Sequence, residues 1–152
     1  AMSTTLSPQP ASHRPRPALS PAQLRLRAEY RNLALWTLQG WAAMFFIAAG
    51  YAKISEPMDN LVALMTWPAY VSESLVRGLG IVEIVLALGL IAPLASWTLG
   101  RWPLLVSAAG LIVLETVMLA VHAIQLDVGL TLTNLALLAI TVPVLLGRRA
   151  PR

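Results

Sequence analysis

Four polar residues sit inside stretches that are otherwise apolar: Glu83, Glu115, His122 and Asn134. An ionisable side chain in the middle of a membrane-crossing helix costs about 2.5–3.5 kcal/mol on insertion scales, so each one calls for a function or a fixed partner. Two carboxyls at similar depth can share a proton, and a histidine beside them can carry it onward. Glu83, Glu115 and His122 are therefore the candidate catalytic residues. Lys53 and Arg77 lie at the ends of neighbouring apolar runs, and Tyr51, Met118 and Asn134 lie near the same level. These five are the candidate ligand-binding residues. A pocket of this composition suits a quinone headgroup, a proton relay or a small polar substrate. Met44, Met65 and Met118 read as packing. One membrane histidine without any cysteine is poor ground for haem or zinc, so no metal site is expected.

Each candidate also has a plainer reading. In that reading Glu83 pairs with Arg77 or Lys53 to lock two helices together. His122 stands close enough to a helix end to bond a backbone carbonyl. Asn134 and Thr131 suit helix–helix hydrogen bonding. Glu115 has no evident partner in the sequence.

The elements that must hold these residues follow from composition. Hydrophobic residues make up 57% of the 152 positions and charged residues 12%, about half the charge of a soluble domain. A soluble fold this small cannot bury so much apolar surface, whereas a bilayer serves as its solvent. The fold class expected is all-α, an integral membrane four-helix up-down bundle. Its spans are placed at about 33–54, 75–94, 104–124 and 128–146. Each is long enough to cross a hydrocarbon core of about 30 Å at about 1.5 Å per residue. Residues 55–60 read as a loop and 61–71, with Trp67-Pro68, as a short interfacial segment between the first two spans. Ser96–Pro103 reads as the turn before the third. Residues 22–32 read as a basic helical lead-in lying at the membrane surface.

Residues 1–23 are rich in Ser, Pro, Gln and Arg and are expected to be a disordered tail, with Ala1 an addition ahead of a natural start at Met2. Residues 24–148 form the transmembrane domain and 149–152 a basic tail. The first span reads as a signal-anchor rather than a cleaved leader, because its apolar run is too long for a signal core. With no cysteine, the chain has no disulfide or thiolate chemistry of its own. The formal charge of +4 comes mostly from the two ends, which argues for topology signals and a lipid bilayer rather than nucleic acid as the partner.

Four spans put both ends on one side. That side carries Arg14, Arg16, Arg25, Arg27, Arg31, Arg101, Arg148, Arg149 and Arg152, against Lys53, Glu56, Asp59, Glu73, Arg77 and Asp127 on the other. The positive-inside rule then places both termini in the cytoplasm. In that frame Glu83 lies about 12 Å, Glu115 about 14 Å and Asn134 about 9 Å from the outer end of their helices, with His122 nearer still. Gln39, Phe46 and Lys53 repeat at seven residues, as do Glu115 and His122, and Asn134 and Thr141, so each helix turns a polar stripe one way. The expected result is a polar pocket in the outer half, beneath an inner half that is apolar apart from Gln39, Ser107 and Thr141.

Several of these residues form a recognisable pattern. The first span ends in Gly50-Tyr51-Ala52-Lys53. The second carries Arg77-x-x-Gly80-x-x-Glu83-x-x-x-Ala87-x-Gly89-Leu90-x-x-Pro93. The third ends in Met118-Leu119-Ala120-Val121-His122, and the fourth in Gly147-Arg148. Over about 33–148 the chain resembles the DoxX and DoxX-like membrane proteins. The resemblance implies a four-helix membrane bundle and a link to redox chemistry, since relatives are associated with quinol oxidation, with thiosulfate:quinone oxidoreduction and with oxidative-stress proteins. By motif, Lys53, Glu83 and His122 match the family's first-helix lysine, second-helix glutamate and third-helix histidine. Glu115 has no clear counterpart, so its role rests on depth and face alone.

The leading expectation is a redox-associated subunit of a bacterial or archaeal cytoplasmic (inner) membrane. It would bind a quinone or similar small lipophile and work with a redox partner subunit, either as a monomer or as a homo-oligomer. The alternatives are a non-catalytic scaffold or assembly factor, and a small transporter or non-redox membrane enzyme such as an isomerase.

Overall fold

A computed structural model describes residues 15–149. The elements are α1 (Pro21–Ser55), α2 (Met58–Met65), a 3-10 turn (Trp67–Tyr70), α3 (Glu73–Ile91), a second 3-10 turn (Ala92–Leu94), α4 (Trp97–Ile124) and α5 (Val128–Arg148). Among the described residues, four helices are long and apolar enough to cross a membrane: α1, α3 with its 3-10 extension, α4 and α5. Among the described residues there is no strand. The chain is an all-α multi-pass membrane protein. The part of the expected N-terminal tail before residue 15, and positions 150–152 of the C-terminal one, lie outside the described residues.

Helix starts follow capping chemistry. Ser20 accepts a hydrogen bond from the Gln23 amide while the Gln23 side chain accepts from the Ser20 amide, a capping box that starts α1 with Pro21 in its first turn. Ser72, Ser96 and Asp127 cap α3, α4 and α5 with a side-chain oxygen that accepts from the backbone N–H of Leu75, Leu99 and Leu130. The expected boundaries shift accordingly. The basic stretch 22–32 is the first part of one helix of 35 residues, about 52 Å long, because no helix breaker separates it from the span. The third spanning helix, α4, begins at Trp97 rather than Leu104. Pro103 lies inside it, and the carbonyl left without a proline N–H partner belongs to Leu99, which is exposed. Within the expected 55–60 loop, α2 already begins at Met58.

The helices form a ring: α1 packs on α3 and α5, and α4 packs on α3 and α5. Small and branched side chains fill its centre, among them Ala42, Ala87, Ala108, Leu111 and Val144, all with no exposed surface. The outward faces are also apolar, with Trp41, Met44, Val85, Val106 and Val113 exposed. Side chains that would be a liability in water are suited to lipid. At one end, Leu61 of α2 and Trp67 pack with Val76 of α3 to form a second, smaller cluster touching Met118 and Val121. The segment 58–70 therefore lies across the end of the bundle and covers it.

The tightest approach is between α1 and α3. A Cβ built on Gly80 would stand 2.7 Å from the Gly50 carbonyl oxygen and 2.8 Å from the Lys53 Cβ; one built on Gly50 would stand 2.5 Å from the Gly80 carbonyl oxygen and 3.3 Å from the Glu83 Cβ. The helices run antiparallel, so each glycine lies against the root of the other helix's charged side chain. The crossing brings Lys53 and Glu83 together.

Candidate functional site

The seven-residue stripes turn inward and meet. On α1, Gln39, Phe46 and Lys53 are buried; on α4, Glu115 and His122; on α5, Asn134 and Thr141. A heptad seam of this kind faces its neighbours along the whole length of a helix pair. At the end capped by α2, six of the eight nominated residues line one cavity of about 200 Å³: Lys53, Glu83, Glu115, Met118, His122 and Asn134. Phe45, Phe46, Leu114 and Leu137 supply apolar walls, and Met65 of α2 closes the end.

The polar groups of this cavity divide into satisfied and unsatisfied. Lys53 Nζ lies 2.9 and 3.0 Å from the two carboxylate oxygens of Glu83, and both residues are buried. Asn134 Nδ2 donates to the Leu130 carbonyl of its own helix at 2.9 Å. Glu115, 1% exposed, accepts at Oε1 from the Thr141 hydroxyl at 2.9 Å. Its Oε2 has no hydrogen-bond partner among the described residues, and neither does Nδ1 of His122. A buried polar atom without a partner carries a desolvation cost of about 1–3 kcal/mol, so an orphaned carboxyl oxygen and an orphaned imidazole nitrogen lining one cavity mark where a polar group belongs.

Two nominated residues are elsewhere. Tyr51 is 65% exposed on the lipid side of α1, because it is two residues from Lys53 and a helix turns it to a different face. Arg77 donates to the Lys53 and Glu56 carbonyls at 2.7 and 2.6 Å and pairs with Glu73 at 3.2 Å. It thus holds the end of α1 through its last carbonyls and leaves Glu83 to Lys53.

Thr141 lies one heptad beyond Asn134 on the stripe that the sequence marks out, and the structure joins it to Glu115. Replacing Thr141 with valine keeps the shape and removes the donor. We expect a loss of about 1 kcal/mol in reversible unfolding in detergent, reduced when Glu115 is already glutamine.

The far end of the bundle is not apolar. Arg148, read from sequence as part of a basic terminus, is 8% exposed. Its Nε donates to Gln39 Oε1 at 2.6 Å and its Nη1 to Asn32 Oδ1 at 2.7 Å. Its guanidinium carbon stands 5.3 and 5.0 Å from the ring centroids of Trp36 and Trp97, within cation–π range. The signal was available: Arg148 continues the Asn134–Thr141 stripe by seven, and Asn32 precedes Gln39 by seven. No group of three metal-ligating side chains comes together among the described residues.

A ring of four apolar spans, closed around an apolar centre with polar side chains buried toward each end, defines a small helical-bundle membrane protein. The model of the DoxX-like family matches residues 37–144, and the chain belongs to that family. No curated protein and no solved structure matches it.

Proposed function

We propose that the cavity binds the headgroup of a quinone or a similar small lipophile, with Glu115 and His122 as its polar contacts. The observation that carries this reading is the pair of orphaned atoms, Glu115 Oε2 and His122 Nδ1, on a cavity whose other nominated polar residues, Lys53, Glu83 and Asn134, already have partners and whose remaining walls are mostly aromatic and aliphatic. A cavity of about 200 Å³ is below the common range for drug-sized ligands of about 300–1,000 Å³ and matches one ring with its polar edge. A carboxyl and an imidazole each donate or accept according to where a proton resides, so the two contacts serve a ring carbonyl and a ring hydroxyl alike. A bound quinone supplies two-electron, two-proton chemistry. The chain's part is to orient the ring between Phe46 and Met118, exclude water, and hold or release a proton at Glu115 and His122. Lys53 and Glu83 fix the wall opposite and set the charge of the cavity. Electrons come from a partner subunit, since the chain has no cysteine and only two histidines. The arginine-rich end, with both termini, faces the cytoplasm of a bacterial or archaeal cell by the positive-inside rule.

The test is equilibrium binding of a short-chain benzoquinone to the protein in lipid nanodiscs. Glu115→Gln and His122→Leu are each expected to weaken binding about tenfold, the loss of one hydrogen bond to a buried polar group, while Tyr51→Phe leaves it unchanged. Equal affinity in all three variants would sink the proposal.

The fully satisfied Lys53–Glu83 pair favours a second reading. A buried ion pair with both carboxylate oxygens engaged is what a scaffold needs to fix helix register, and an assembly factor would require nothing more of it. Absence of any quinone binding by the wild-type protein would select this reading.

A further inference from the structure

We propose that the end of the bundle opposite the quinone cavity carries a second binding site, for the headgroup of an anionic glycerophospholipid. The inference is independent of the quinone reading and shares no residue with that cavity.

A cavity of about 740 Å³ opens there among α1, α4 and α5. Three arginines line it, one from each helix: Arg31, Arg101 and Arg148, against the single carboxylate of Glu29. Two of these arginines are already set in place by the fold. Arg31 Nη2 donates to the Gly147 carbonyl at 2.9 Å, and Arg101 Nη2 donates to the Arg149 carbonyl at 3.2 Å. Each spends one N–H on the end of α5, and a guanidinium has five. Arg148 is anchored by Gln39 and Asn32 and lies near two tryptophan rings. Three guanidiniums positioned by backbone and side-chain bonds around one opening form a preorganised anion site, because little side-chain freedom remains to be lost on binding. Guanidinium groups match the oxygens of a phosphate in pairs.

The depth of the site selects a lipid as the source of the phosphate. Along α1, Leu35 and Asn32 of this cavity lie about 27–32 Å from Lys53 at the other, about the thickness of a hydrocarbon core. The arginines therefore stand at headgroup level in one leaflet. Trp97 lines the cavity, and exposed Trp102 and Leu99 flank it on α4, the aromatic and aliphatic surface that meets the top of acyl chains. Basic pockets between spanning helices hold anionic headgroups in this manner. The phosphate would lie between Arg31 and Arg101, within the positive field of Arg148, with Thr98 on the same lining.

Native mass spectrometry of the full chain, titrated with phosphatidylglycerol, phosphatidylcholine or inorganic phosphate, tests this. One phosphatidylglycerol per chain is expected, bound at least tenfold more tightly than phosphatidylcholine. Arg31→Gln/Arg101→Gln should lose about tenfold in that affinity. Arg25→Gln/Arg27→Gln removes the same charge from α1 outside the cavity and should lose less than twofold. If the first double variant fails to fold, Arg101→Gln alone should lose at least threefold, with Arg101→Lys recovering part of it. Equal loss in the two double variants would mean general electrostatic attraction and would overturn the site. So would equal binding of the two lipids. Saturation by inorganic phosphate that blocks phosphatidylglycerol without acyl chains adding affinity would overturn the lipid assignment in favour of a free anion.

Discussion

Lys53→Met is expected to destabilise the bundle by about 3–5 kcal/mol, the cost of leaving one member of a buried ion pair without the other. Glu83 is 4% exposed, and both of its carboxylate oxygens bond Lys53, so removal of the ammonium leaves both with their main donor gone. The partner variant Glu83→Leu should cost a similar amount by stranding the lysine. The double variant Lys53→Met/Glu83→Leu should recover most of the loss, because well-packed apolar side chains often replace a buried pair at little cost. Unfolding of the four proteins in mixed detergent micelles measures the coupling directly. Additive losses would mean that the two residues do not act as a pair. Arg77→Gln serves as a comparison: its bonds go to the Lys53 and Glu56 carbonyls and to Glu73, so its loss should not depend on whether Glu83 is present.

The second large effect concerns backbone approach rather than charge. Gly80→Ala adds one methyl group where the Gly50 carbonyl oxygen would be 2.7 Å away and the Lys53 Cβ 2.8 Å away. Neither neighbour is the far end of a flexible side chain, so the helices must separate. Overpacking costs about 1–3 kcal/mol, and separation also stretches the Lys53–Glu83 bonds, so we expect a loss toward the top of that range or beyond it. The control has the opposite sign. Gly78 is two residues away in the same helix, with nothing within 4 Å of a built Cβ. Alanine there removes the conformational freedom of glycine in a helix interior and should stabilise by about 0.5–1 kcal/mol. Thermal unfolding in one detergent compares the two. A Gly80→Ala protein as stable as Gly78→Ala would show that α1 and α3 do not meet at this point. The sequence has no pair of glycines four apart on one helix, so the usual signature of close packing was missing; the approach uses one glycine from each of two helices.

The sequence by itself determined the class of protein, the number of spans, the polar stripe on each helix and the family. Composition sets the solvent, length sets the span count, and a seven-residue repeat sets which residues share a face; none of these depends on a neighbour. Glu115 is the clearest instance. It has no clear counterpart in the family pattern, yet depth and spacing alone nominated it, and it lies buried in the same cavity as His122. Boundaries were less legible: residues 22–32 carry charges that suggested a surface element, although the backbone needs only capping and helix-forming residues to continue, and it does.

What only the tertiary structure decided is who faces whom. Periodicity gives each helix a polar stripe but leaves its rotation about its own axis and its crossing with the next helix undetermined. The contact of Gly50 with Gly80 fixes the α1–α3 crossing, and with it the choice of Lys53 over Arg77 as the partner of Glu83. The same rotation turns Tyr51 to lipid and draws Arg148, formally a terminal charge, under two tryptophans. These pairings are set by steric fit between helices distant in sequence, and such fit is a property of the assembled bundle rather than of any one segment.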